Sequence, residues 1–302
     1  MRTVRLSNPY FLLVVTVLFW SGNWVVGRGF RGEVPPAALA LWRWSIAFLL
    51  TLPWAWPYRS QILPAMRGHG FLLVVLALFG VTGYNTLAYV GLQHTTATNG
   101  VLLNSFIPVV IIGISCAFLG KRLLLQEGLG VLASLIGVTV IVAHGALSNL
   151  ASFTINPGDL WILGSVVVWA IYTVMLHYRP QLLHPMALLA ILTGIGVLGL
   201  VPIYAWELAQ GLRIHPSVAA FAGIAYTGIF PGFLGYVFWN RAVAQVGASV
   251  SGLFIHLMPV FTPALSAVFL GEMPQGYHFV GMLLIVGGIL FSTRRSLATR
   301  AA

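Results

Sequence analysis

One arginine stands alone in an apolar stretch. Arg43 is the sole charge between Pro36 and Trp54, and Trp42 and Trp44 flank it. A guanidinium in such a setting can hold a carboxylate through its fork of N–H donors. It lies seven residues past Pro36, about 10 Å along a helix. A charge at the centre of a membrane costs on the order of 3 kcal/mol, and somewhat less at this depth. Two readings stay open: Arg43 snorkels or pairs with Glu33, or it anchors the carboxylate of an amino acid. Trp20, Asn23 and Trp24 share one helix face by their i, i+3, i+4 spacing. Further polar and aromatic candidates are Tyr84, Asn85, Asn99 and Asn104 in the first half, and Tyr172, Tyr236, Asn240, Ser249, Ser251 and His256 in the second.

None of this is the chemistry of catalysis. No HExxH, GxSxG or phosphate-cradling GxxxxGK occurs, and no His/Cys cluster suggests a metal. No cofactor is implied. The five acids, Glu33, Glu127, Asp159, Glu207 and Glu272, all fall at the ends of apolar stretches. His256 is the one histidine deep inside such a stretch, either a hydrogen-bonded packing residue or a functional one. The lone Cys116 has no partner for a disulfide and suits apolar packing.

The elements that must position these residues are membrane spans. Only 7% of the 302 residues are charged, against roughly 25% in a soluble domain. Ten low-charge stretches can be marked: 10–27, 36–54, 70–90, 97–119, 126–143, 159–176, 185–206, 217–239, 248–270 and 277–293. Long apolar blocks without period-two alternation exclude a β-barrel. The first block is as long as the rest and reads as a helix, not a cleaved signal peptide. The net charge of +10 raises nucleic acid as a partner, but its distribution argues against that. With the N-terminus in the cytoplasm, eleven Lys and Arg fall on cytoplasmic segments and three (Arg28, Arg31 and Arg213) on outer loops. That positive-inside bias places both termini in the cytoplasm.

The chain also repeats. Residues 88–142 and 239–293 superpose at an offset of 151 without a gap. Ala97 meets Ala248, Pro108 meets Pro259, Ser115 meets Ser266, Gly130 meets Gly281 and Gly137 meets Gly288. Over 97–137 there are 11 identities in 41 positions, and the matched Pro and Gly are hard to obtain by chance between greasy helices. At an offset of 149, Trp20 meets Trp169, Pro36 meets Pro185 and Pro53 meets Pro202, while Arg43 meets Leu192. The sequence therefore predicts two five-helix repeats, 1–144 and 159–302, joined by an outer loop at 145–158. An odd span count per copy inverts the second relative to the first. Pro108 and Pro259 then fall in mid-span of the fourth and ninth helices, as matching hinges or as bends for packing.

Ten spans in two repeats, with Pro–x9–Phe-Leu-Gly ending each fourth helix, resemble the EamA-type drug/metabolite transporter superfamily. That family's motif often continues with Glu, as at Glu272, whereas Lys121 stands at the matching place in the first copy. The many aromatics and short loops look like the bacterial aromatic-amino-acid exporter branch. The resemblance implies an all-α inner-membrane carrier for a small solute, aromatic amino acids first, working by alternating access. The alternatives are another metabolite, a cationic drug or a lipid. The absence of a mid-membrane carboxylate favours facilitated diffusion or exchange over proton coupling. The implied substrate-binding set is Trp20, Asn23, Trp24, Arg43, Tyr84, Asn85, Asn104, Trp169, Tyr172, Tyr236 and His256, with Pro108 and Pro259 as hinges. Trp20 and Trp169 could line a path or pack helices. Trp239 and Tyr10 read as an interfacial belt. The glycines at 128, 130, 137, 276, 281 and 288 permit close helix approach and offer a possible homodimer face, leaving monomer and dimer both open.

Overall fold

A computed structural model describes residues 8–30, 32–94, 103–120, 124–143, 148, 157–270 and 275–301. Among them there is helix and no strand. Asn99, Lys121 and Glu272 lie outside the described residues, as does most of the 145–158 loop.

Helix α1 spans Pro9–Gly29. Asn8 caps it, its side-chain oxygen accepting the N–H of Tyr10 at 2.9 Å. Helix α2 (Pro36–Ala55) starts on proline, where no intrahelical N–H is needed. Its next two N–H groups, of Ala37 and Ala38, donate to the Glu207 carboxylate at 3.0 and 2.8 Å. An acid from a distant helix thus caps the positive end of α2. A 3₁₀ turn, Trp56–Gln61, leads to α3 (Ile62–Ala77), a π turn at Leu78–Gly83 and α4 (Tyr84–His94). Then come α5 (Ile107–Leu119) and α6 (Leu125–Val142). Gly120 ends α5 at φ 61°, a left-handed cap that favours glycine, which explains the last letter of Phe-Leu-Gly.

The second half follows the same plan. It holds α7 (Pro157–Met175), α8 (Pro185–Ala209), α9 (Val218–Thr227), a π turn at Gly228–Leu234 and α10 (Gly235–Val246). After these come α11 (Ala248–Leu253), a 3₁₀ turn at Phe254–Leu257, α12 (Met258–Leu270) and α13 (Gly276–Ala301). Among the described residues, six stretches are long and apolar enough to cross a membrane, and three shorter apolar helices accompany them. One of the six, Pro36–His94, runs for 59 residues. Straight, it would measure about 90 Å, so it cannot be a single crossing of a core about 30 Å thick. The turn at Trp56 splits it, and α2 packs against α4. Large apolar side chains such as Phe71, Leu182, Leu198 and Val218 point outward, as a lipid-facing surface requires.

Matched positions of the two halves pack together across the molecule. A Cβ on Gly137 would stand 2.6 Å from the Gly281 carbonyl, and one on Gly288 would stand 2.5 Å from that of Gly130. The four buried glycines form a reciprocal contact between α6 and α13. They face each other within one chain and offer no face to a second copy, which replaces the dimer-face reading of these positions. Ser134 donates to the Ile285 carbonyl at 3.3 Å, and the His256 ring bonds the Ser105 carbonyl at 2.8 Å. Each of these two pairs is 151 residues apart.

Pro108 and Pro259 do not kink continuous helices. Each sits at the second position of a new helix, α5 or α12, after a break. The first break is a turn at 105–106 and the second a 3₁₀ turn at 254–257. Proline is tolerated in a first turn because that N–H is unpaired in any case.

Candidate functional site

Arg43 is buried, 2% exposed. One terminal nitrogen donates to Asn85 Oδ1 at 2.8 Å, to the Tyr89 hydroxyl at 2.9 Å and to Asn23 Oδ1 at 3.3 Å. The other donates to the Pro231 carbonyl at 3.3 Å. The guanidinium carbon also stands 5.2 Å from the Trp44 ring centroid. These partners are all neutral. Glu33 is exposed and accepts from Ser217 at 3.4 Å, so the snorkelling and Glu33-pairing readings both fail. Burying an ion costs several kcal/mol, and hydrogen bonds to a charged group return about 1.5–3 kcal/mol each. The side chain is held in place while its charge stays uncompensated.

The π turn supplies one of those bonds. Gly235 N–H reaches back to the Phe230 carbonyl, past that of Pro231. Pro231 then accepts from Arg43 and, at 3.2 Å, from Trp20 Nε1. Gly228 brings the turn against α2, since a Cβ there would be 2.6 Å from Ile46. The matching π turn offers the Gly80 carbonyl, which accepts the Tyr236 hydroxyl. Gly80 and Pro231 are also 151 apart. Each turn thus hands one backbone acceptor to a side chain at the centre.

Aromatic rings fill that centre. Trp20 and Trp169 meet edge to face at 5.1 Å, and Trp239 packs on both at 5.0 and 5.7 Å. Tyr84 and Tyr236 contact Trp169 at 4.8 and 5.6 Å, and Trp44 contacts Tyr236 at 4.6 Å. Trp239 is therefore no belt residue. It is fully buried, because the rotation of α10 turns it inward. Tyr10 is half-buried against Phe254 at 5.9 Å. Trp42 and Trp44 separate, the first exposed and the second buried.

Two cavities flank the rings. The smaller is lined by Trp20, Asn23, Trp24, Gly27, Arg43, Tyr84, Asn85, Ala88, Tyr89, Leu92, Trp169 and Tyr236. Its free space is about 20 Å³, room for a water but not for an amino acid. The larger is about 480 Å³ and is lined by residues including Ser115, Thr173, His177, Arg179, Val243, Gly247 and Ser249. On α7, Trp169 lines the first and Thr173 the second; on α10, Tyr236 and Val243 do the same, with Trp239 between them. The rings are the partition.

Eight of the eleven residues singled out in the sequence thus share one pocket. Asn104 stands one bond away, accepting the Tyr84 hydroxyl at 3.2 Å. Tyr172 lies behind the wall, bonded to Asn240 at 2.7 Å. His256 lines neither cavity and joins the two broken helices through the Ser105 carbonyl. Tyr89 lines the pocket and was not singled out. Its i+4 spacing from Asn85 is the signal that pointed to it.

The comparisons with known proteins agree with this frame. The model of the EamA-like transporter family matches residues 7–143 and again 156–294. The chain belongs to the EamA-like transporter family. A relative from Bacillus subtilis, named an uncharacterized transporter, is 25% identical over 94% of this chain and 92% of its own length. Another, from Streptantibioticus cattleyicolor, is named a probable terminal-alkyne amino-acid exporter and is 28% identical over 98% of this chain and 97% of its own. A solved crystal structure superposes with a TM-score of 0.78 at 20% identity, covering 97% of this chain and 98% of that one. The family and the relatives' names mark a membrane transporter and not an enzyme.

Proposed function

We propose that this transporter carries small amino-acid-type carboxylates, aromatic ones first, across a bacterial inner membrane and acts as an exporter. The observation that carries the reading is Arg43, a buried cation without an acid partner among the described residues, in a pocket walled by Trp and Tyr. A substrate carboxylate supplies the missing charge, and an aromatic side chain suits the ring-lined wall. The relative named as an amino-acid exporter supports the substrate class.

The transport cycle we propose is alternating access between two inverted five-helix repeats, with ten spans and both termini cytoplasmic. The loop charges support this orientation, and the reciprocal contacts at 151-residue spacing support the two-fold relation. On this reading the large cavity, which Arg179 lines, is the cytoplasmic one. The water-sized pocket is then a site closed to the outside, which must widen to take substrate. Asn23, Asn85 and Tyr89 position Arg43, and Trp20, Trp169, Tyr236 and Trp239 form the inner barrier. The broken helices before Pro108 and Pro259 are the joints.

The test is counterflow in proteoliposomes with all twenty amino acids and a quaternary amine. Phe, Tyr and Trp are expected to exchange fastest. Acceptance of the amine with rejection of every amino acid would overturn the reading.

A further inference from the structure

The unused hydrogen-bonding groups of the Arg43 pocket are all of one kind. Arg43 Nε and Trp169 Nε1 are buried and without hydrogen-bond partners, and both residues line the pocket. The Asn85 amide reaches the Tyr236 hydroxyl. Each of these nitrogens is a donor with no acceptor capacity. Such groups are costly to leave unmet, and the oxygens of a bound anion would meet them.

The oxygen acceptors on the pocket wall are neutral and already hydrogen-bonded. Asn23 Oδ1 receives both Arg43 and Tyr89, the latter at 3.1 Å. Asn85 Oδ1 receives Arg43 at 2.8 Å, and the Pro231 carbonyl receives Arg43 and Trp20. Among the described residues no carboxylate lines the pocket. Glu207 is engaged with the backbone of α2, and Glu33 is exposed. The ring faces are engaged as well: Trp20 and Trp169 pack on each other, and Trp44 lies beneath Arg43.

A zwitterionic amino acid brings a second demand. Its ammonium carries three donors and a positive charge, two bonds from the carboxylate carbon. With the carboxylate seated on Arg43, that ammonium faces a like charge and finds no carboxylate among the described lining residues. We infer that the transporter prefers carboxylates whose amino group is capped or absent, such as N-acylated amino acids and aryl-alkanoic acids, over free amino acids of the same side chain. This rests on the carboxylate-carrier reading of the same pocket and narrows it to net monoanions.

The experiment holds the phenyl group constant and changes only the charge. The full chain in proteoliposomes is assayed by counterflow with L-phenylalanine, N-acetyl-L-phenylalanine and L-phenylalaninamide, at a pH where the amide is cationic. Binding of each to purified protein is followed by thermal shift, which needs no transport. The N-acetyl anion is expected to exchange and bind about ten-fold better than phenylalanine, and the amide least. Phenylalanine equal to or better than its N-acetyl form overturns this inference and leaves the carboxylate carrier standing. The amide accepted with both carboxylates rejected, or none of the three accepted, overturns the carrier reading itself. An Asn85→Asp variant supplies the missing acceptor and is expected to move the preference towards phenylalanine. An unchanged preference in a variant with wild-type thermal stability also counts against the donor-surplus argument.

Discussion

The pocket at Arg43 and the cavity at Thr173 stand on opposite sides of the same rings, yet they share little. One leaves about 20 Å³ free and presents buried donors; the other leaves about 480 Å³ and mixes polar with apolar lining. The frame around them is symmetric, with π turns, helix breaks and glycine contacts all recurring at a spacing of 151. The chemistry is not. Arg43 has Leu192 as its counterpart, fully inside the apolar core. The frame thus repeats in both halves, while the buried charge stands in one of them.

The comparison can be broken most sharply at Arg43. Changing it to Gln keeps an amide donor but removes the charge. Counterflow is expected to fall about 100-fold, close to 3 kcal/mol, with folding retained by size-exclusion profile and melting temperature. Full transport by this variant would remove recognition from this pocket. The next largest effect belongs to the frame. Gly288→Val drives a side chain into the Gly130 carbonyl and Ser134, whose nearest atoms stand 2.5 Å from its Cβ. Overpacking of this kind costs about 2 kcal/mol, read as a melting temperature lower by roughly 5 °C. If the frame is symmetric, Gly137→Val lowers it by a similar amount.

Tyr89→Phe sharpens the picture of the pocket. It deletes a 2.9 Å bond to Arg43 and the bond to Asn23. Half-saturation is expected to rise about five-fold, or near 1 kcal/mol, while stability changes little. Ser249→Ala probes the opposite side. Ser249 lines the large cavity, and transport is expected to stay within about two-fold. A loss as large as that of Tyr89→Phe would show that the larger cavity also recognises substrate.

Much of the frame was legible because it is written in residues with few substitutes. Gly130, Gly137, Gly281 and Gly288 matched in sequence and meet in space, since backbone contact admits no side chain. Pro108 and Pro259 matched and stand at equivalent breaks. Arg43 was conspicuous because nothing around it is charged. The π turns were not legible. Gly80 and Pro231 do not resemble each other, and an i+5 turn is fixed by what its freed carbonyl meets, here Tyr236 from one side and Arg43 with Trp20 from the other. Trp239 was misread as a belt residue for a related reason. It closes its apolar stretch next to Asn240 and Arg241, where a ring reads as interfacial although the helix turns it inward. Glu207 at a helix end gave no hint that it caps α2, because the N–H groups it binds lie 169 and 170 residues away.

The glycine contact between α6 and α13 has a consequence for ancestry. A patch that meets its own image needs only one sequence to build both sides. That is the geometry by which a half-length chain pairs with a second copy of itself. Joining the copies makes the encounter intramolecular and independent of concentration. It also frees each copy to change alone, so that one side can hold an arginine where the other keeps a leucine.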